Sequence, residues 1–243
     1  MSGYAVIPLV ATVAFLGPLV ALLLHRPRLK RNLLMLLFVI PATLWSLADF
    51  LLRSQLLPID PLVLVKIVIC LGILMIIQYH HFLRSRAGRQ DGKALLAYLP
   101  LAAVVELTIS GSIPRSIQVS HDLVIIRYGP WILPVALFVV ALIVYDAHLL
   151  VRKYRASDSL VERNQITYLL AATAVGAAAI LAGLTPWGTE YALPHFGNLA
   201  TALVIVYAMV AWHLADIGLA LRRAMAGFGI MASASVFAVF LLW

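Results

Sequence analysis

The chain has 243 residues, of which 63% are hydrophobic and only 12% charged, and its formal net charge is +8. A soluble domain is about half apolar and about a quarter charged, so this balance excludes one and points to an integral membrane protein. The basic residues fall in short clusters between apolar runs, which is a topology signal and not the footprint of a nucleic-acid surface. The single cysteine, Cys70, lies inside an apolar run and excludes an intrachain disulfide.

A helix needs about 20 apolar residues to cross the hydrocarbon core. Seven segments meet this: 3–25, 32–55, 61–84, 94–111, 130–152, 160–184 and 195–219, with an eighth apolar run over 224–243. The first has no basic start and no small-residue cleavage site, so it reads as a retained span. Pro8, Pro18, Pro41, Pro100 and Pro134 lie within spans and predict kinks. Asp60-Pro61 reads as an N-cap followed by an N1 proline opening span three. Ser159 and Glu162 form a capping box opening span six. Between spans four and five, SIQVS and LVIIRY flank His121-Asp122 and predict a small β-hairpin. The fold class is therefore an all-α membrane bundle of seven helices over 1–219, with an additional apolar segment over 220–243.

Orientation follows from lysine and arginine. Arg26, Arg28, Lys30 and Arg31 follow span one. Arg84, Arg86, Arg89 and Lys93 follow span three. Arg152, Lys153, Arg155 and Arg163 follow span five, and Arg222 and Arg223 follow span seven. Of the 18 basic residues, only Arg53, Lys66, Arg115 and Arg127 fall on the other side. The N-terminus is thus expected outside and the exit of span seven in the cytoplasm.

Three consecutive spans carry a charge in their outer halves: Asp49, Lys66 and Glu106. Each lies roughly 6–9 Å below its helix end at 1.5 Å per residue. Charges inside a membrane are costly unless paired, so Lys66 between two carboxylates is one expected network. Asp49 with Arg53, four residues on, is another. Such a network either fixes helix packing or lines a polar pocket for a small ligand or ion. Trp45 and Arg127 are added to that candidate pocket. Arg115, His121, Asp122, Tyr128, Trp131, Trp187, Glu190, Tyr191 and His195 are further polar and aromatic groups near the same side.

On the inner side, His25, His80, His81, His148 and His213 fall near helix ends, accompanied by Asp146 and Asp216. Interface anchoring explains them, although histidines at one depth also suit a metal or haem, for which His80, His148 and His213 are the weak candidates. No metal or cofactor is expected. No zinc-protease, phosphate-loop, nucleophile-elbow or kinase signature occurs, so catalysis by this chain is not expected. Small residues crowd TYLLAATAVGAAAILAGL and AMAGFGIMASAS and permit close helix packing.

RYGPWILPVALFVVALIVYDAHLLVRKYR (127–155), ERNQITYLLAATAVG (162–176) and LPHFGNLATALVIVYAMVAWHLADI (193–217) resemble spans five, six and seven of the seven-transmembrane N-terminal sensor region of bacterial histidine kinases and related signalling proteins. QYHHFL (78–83) fits the exit of span three. The resemblance covers about residues 5–220. It implies a multi-pass sensor in the bacterial inner membrane, with the bilayer and an undefined small-molecule or membrane stimulus as partners. It also implies output through cytoplasmic domains absent from this chain, a signal exit near Asp216, Arg222 and Arg223, and a homodimer where a kinase is attached. A transporter or channel, a haem-bearing redox subunit and a structural subunit of a membrane complex are the alternatives. An epitope tag at Met1 should be reachable from outside intact cells, and one placed after residue 219 only after permeabilisation; the reverse pattern overturns the topology.

Overall fold

The computed structural model of the chain describes residues 3–24, 30–88, 96–119, 124–183, 185, 188 and 192–211. Seven α-helices are present among them: α1 (Val6–Leu24), α2 (Lys30–Ser54), α3 (Pro61–Arg86), α4 (Tyr98–Ile109), α5 (Ile132–Ala156), α6 (Leu160–Gly183) and α7 (Leu193–Ala211). Five of them, α1, α2, α3, α5 and α6, are long and apolar enough to cross a membrane. The predicted eighth segment, His213 and the exit residues Asp216, Arg222 and Arg223 lie outside the described residues.

Lipid is the reason such long helices form: each satisfies its own backbone where no water can. Their ends follow local chemistry. The Asp60 carboxylate accepts from the Leu62 amide at 2.8 Å, and Pro61 supplies the first helical position of α3. Ser159 accepts from the Glu162 amide at 3.4 Å, as half a capping box. The other half is diverted, because Glu162 takes the Ser157 hydroxyl and pairs with Lys153 at 3.0 Å. Gly111, at φ 75°, closes α4 in the left-handed conformation that an Ala or larger residue resists. The predicted fourth span over 94–111 is thus a helix of 12 residues, about 18 Å long.

The prolines divide into two groups. Pro18 and Pro41 lie inside helices, but Pro8, Pro100 and Pro134 are the third residues of α1, α4 and α5. Amides of the first turn have no intrahelical acceptor, so proline costs nothing there and starts the helix instead of kinking it.

Strands β1 (Ser116–Val119) and β2 (Val124–Arg127) pair antiparallel, with Ser116 opposite Arg127 and Val119 opposite Val124. This is the hairpin expected between spans four and five. Its inward side chains join Leu52, Leu64 and Val65 in a small cluster, so the hairpin sits on the ends of α2 and α3.

The helices close a ring: α1 packs on α2, α2 on α3, α3 on α4 and α5, α5 on α6, α6 on α7 and α7 back on α1. The main core runs through Phe15, Phe38, Phe82, Leu150, Leu169 and Ile205, drawing on six of the seven helices. The apolar residues left outside face where lipid would be. On α5, Leu133, Leu137 and Val144 are 66%, 69% and 62% exposed, an arrangement that is stable only in a membrane.

The α6–α7 contact is close. A Cβ built on Gly197 would overlap the Ala179 methyl, and one on Gly183 would overlap the Pro194 ring. Small residues let two helices approach closely and gain packing where the hydrophobic effect is absent. Gly197→Val should therefore lower the thermal midpoint of the protein in detergent. Gly176→Ala, whose new methyl would meet only Thr201 Oγ1 at 3.6 Å, should leave it unchanged.

Candidate functional site

Asp49 lies on α2 near the hairpin end of the bundle and is only 4% exposed. Its Oδ2 accepts from Arg53 Nε at 2.7 Å and from His195 Nε2 at 3.0 Å. Arg53 comes one turn later on the same helix, but His195 comes from the first turn of α7, across the ring. Both partners are as deeply buried as the carboxylate. Ala192, at φ 54°, turns the chain into α7, and the His195 amide donates to its carbonyl at 2.9 Å.

The imidazole is fixed on its face as well as its edge. Trp45, one turn before Asp49, stacks on His195 with ring centroids 4.2 Å apart and planes at 26°. Gly72 of α3 makes room for the indole, since a Cβ there would stand 3.3 Å from Trp45 Nε1. A proton on His195 Nε2 is what the carboxylate selects. That Nδ1 is buried and has no hydrogen-bond partner among the described residues.

Below the triad a second rung joins the same two helices. Asn198 Nδ2 donates to Ser46 Oγ at 2.8 Å, one turn down on α7 and one turn down on α2. Further along, Thr201 donates to the Ala172 carbonyl at 3.4 Å, and Tyr79 and Thr173 share a hydrogen bond at 3.0 Å. At the far end His80 Nδ1 meets Asp146 Oδ1 at 2.6 Å, both almost fully buried. From the Gly72–Trp45 contact, His80 is eight residues along α3 and Asp49 one turn the other way. The two ionic clusters are therefore about 18 Å apart along the bundle. A polar column crosses the apolar core between them.

Two cavities flank this column. The larger, about 190 Å³, is bounded by Asp49, Arg53, His195 and Trp45 at one end and by Ile69, Ile73, Val135 and Val139 along its walls. The smaller, about 70 Å³, continues past Trp45 to Tyr79, Thr173 and Asp146. The hairpin contributes Ile126 and Tyr128 to the larger one. Burial pushes the Tyr128 phenol up to about 12, and the Asp49 charge adds to the shift, so the hydroxyl stays neutral.

The structure brings together Asp49, Arg53 and Trp45 of the residues singled out from sequence. It separates the others. Lys66 is half-buried and points its Nζ at the Ile109 carbonyl, 3.5 Å away, instead of joining Asp49. The last carbonyls of a helix have no partner within it, and an ammonium group suits that end of the α4 dipole. Glu106 is exposed, so the expected three-charge network does not form. Arg127 is exposed because strand alternation turns Ile126 and Tyr128 inward and Arg127 out. On the inner side His80 is taken by Asp146, while His148 is exposed. His195 was visible in the sequence only as one of several polar groups near span ends; nothing in its spacing names Asp49 as partner.

No protein-family model matches the chain, and no curated protein is detectably similar to it in sequence. The class rests on the fold and the site: a helical membrane protein with a buried polar column between two ionic clusters.

Removing one member of a buried ion pair strands the other, at about 3 kcal/mol or more. Asp49→Ala should cost the folded protein about that much in an unfolding titration from mixed micelles. Glu106→Gln, at an exposed site, should stay within about 0.5 kcal/mol.

Proposed function

We propose that the chain is a membrane sensory module. On this reading a stimulus reaches the Asp49–Arg53–His195 triad, and its effect leaves along α7 toward the cytoplasm. The observation that carries the reading is the His195–Asp49 bond, 3.0 Å long, joining α2 to the helix that leads to the expected exit near Asp216, Arg222 and Arg223. Whatever alters that bond changes where α7 rests.

Three features support it. The triad lies under the hairpin, at the end expected to face outside. It borders a cavity large enough for a small molecule. And α7 packs directly on α1 and α6 but reaches α2 through polar side chains, so its attachment there is a discrete contact that can be made or broken. Signalling needs two states that the stimulus binds unequally, and the bonded and released positions of α7 are such a pair. The resemblance of spans five to seven to histidine-kinase sensor regions gives the same direction of flow. The output domain then belongs to a partner or to a longer chain in the bacterial inner membrane, and a kinase-linked form acts as a homodimer.

The test is a chimera in which residues 1–219 replace the sensor region of a reporter histidine kinase. Coupling between sites is typically about 1–3 kcal/mol, or roughly 5–150-fold. Asp49→Asn and His195→Gln should each change the basal output by about fivefold or more, while Lys66→Met, outside the triad, should leave it near wild type. Output unchanged by both triad variants, in chimeras that insert and fold, removes the reading.

A further inference from the structure

At the end of the bundle away from the triad, three helix ends enclose a pocket. Arg86 is the last residue of α3, Lys153 lies in the last turn of α5, and Ser159 and Glu162 stand at the start of α6. Leu150, Ile166 and Leu169 close the floor and are buried, so the polar groups all stand at the mouth. They can be reached there. The side chains of Lys153 and Glu162 are 33% and 38% exposed, and Ser159 is exposed.

The charges at the mouth do not cancel. Glu162 is the one acid among the described residues that line it, against the two cations Arg86 and Lys153. Its Oε1 accepts from Lys153 Nζ at 3.0 Å and its Oε2 from the Ser157 hydroxyl. Gln165 Oε1 accepts from Arg86 Nη2 and ties that guanidinium to α6. Two cations are thus held side by side with one negative charge between them. An ammonium group carries three donors, of which Glu162 takes one. A guanidinium beside an ammonium suits a phosphate, the first binding as a fork and the second as a point charge.

The surroundings select what carries that phosphate. The lysine and arginine pattern expects these helix ends at the cytoplasmic interface, the level of the lipid headgroups. Beside the mouth, Leu160 and Val161 are 72% and 50% exposed. An acyl chain covers such an apolar shoulder, and a free phosphate ion does not. Basic pockets between helices on this side of a membrane take anionic headgroups. We propose that the pocket binds the headgroup of an anionic phospholipid, its phosphate between Arg86 and Lys153 and its chains along the start of α6. The inference goes beyond the sensory reading and does not depend on it, since lipid binding is measured without any output domain.

The experiment is native mass spectrometry of the full chain released from detergent micelles. It is titrated with phosphatidylglycerol or phosphatidylcholine of equal chain length, and each variant is used only where helical content and thermal midpoint show it folded. An anionic lipid gains about fivefold in affinity for each lysine or arginine near it. The first phosphatidylglycerol should therefore bind at least fivefold more tightly than phosphatidylcholine. Arg86→Gln and Lys153→Gln should each weaken it about fivefold. Arg152→Gln, at an exposed residue outside the pocket, should leave it unchanged, and Glu162→Gln, which removes the acid, should strengthen it. Equal binding of the two lipids overturns the proposal, as does an Arg152→Gln effect as large as that of Lys153→Gln, which would mean diffuse attraction only. Weaker binding by Glu162→Gln overturns it too. So does displacement of phosphatidylglycerol by a tenfold excess of inorganic phosphate, which would make the ligand a soluble anion.

Discussion

A carboxylate buried in an apolar bundle has to be answered from within the protein, and the answer given to Asp49 sets the arrangement around it. Arg53 alone, one turn away on the same helix, would satisfy much of the charge without tying α2 to anything. His195 adds the tie. Once the imidazole approaches Asp49 it covers Trp45, and the indole in turn needs the missing side chain of Gly72 on α3. Three helices, α2, α3 and α7, are thereby held in register by one acidic group. The cavity lies beside the stacked rings, where Trp45 and His195 form part of its wall.

The second rung makes the tie directional. Asn198 and Ser46 repeat the α7–α2 link one turn below the triad, in the antiparallel order that places 195 with 49 and 198 with 46. Two rungs resist sliding of α7 along α2 far more than one does, because a slip breaks both hydrogen bonds at once. On its other flank α7 packs against α6 through Gly197, where the Ala179 methyl leaves no space for a second one. A helix is thus held by close packing on one side and by discrete polar bonds on the other.

Much of this architecture was legible in the sequence, because its causes are local. Apolar length gives spans, Asp60-Pro61 gives the start of α3, and the alternation in SIQVS and LVIIRY gives the hairpin. Depth along a helix was legible too, since it needs only the rise per residue, and Asp49 does lie in the half of α2 nearest the hairpin. Partner choice was not. Asp49, Lys66 and Glu106 share a depth, yet depth says nothing about which way a side chain points or which helices adjoin. Lys66 found a nearer use at the open carbonyl of Ile109, and the position beside Asp49 went to a residue almost 150 positions away in the chain. Only closure of the ring, with α7 against α1, makes that neighbour available. Arg127 and Tyr128 show the same limit on a smaller scale. One step in a strand reverses the side-chain direction, and the residue lining the cavity is the one beside the charge that drew notice.

The two ionic clusters differ in a way that bears on what each can do. His80 and Asp146 form a buried pair between α3 and α5, with Nδ1 and Oδ1 2.6 Å apart. That pair ties α3 to α5. The triad end is open by comparison. It has the same kind of histidine–carboxylate bond, but with one imidazole nitrogen left over and a cavity beside it. A membrane protein that only needed rigid packing would gain by filling that space with aliphatic side chains, since voids forfeit dispersion contacts.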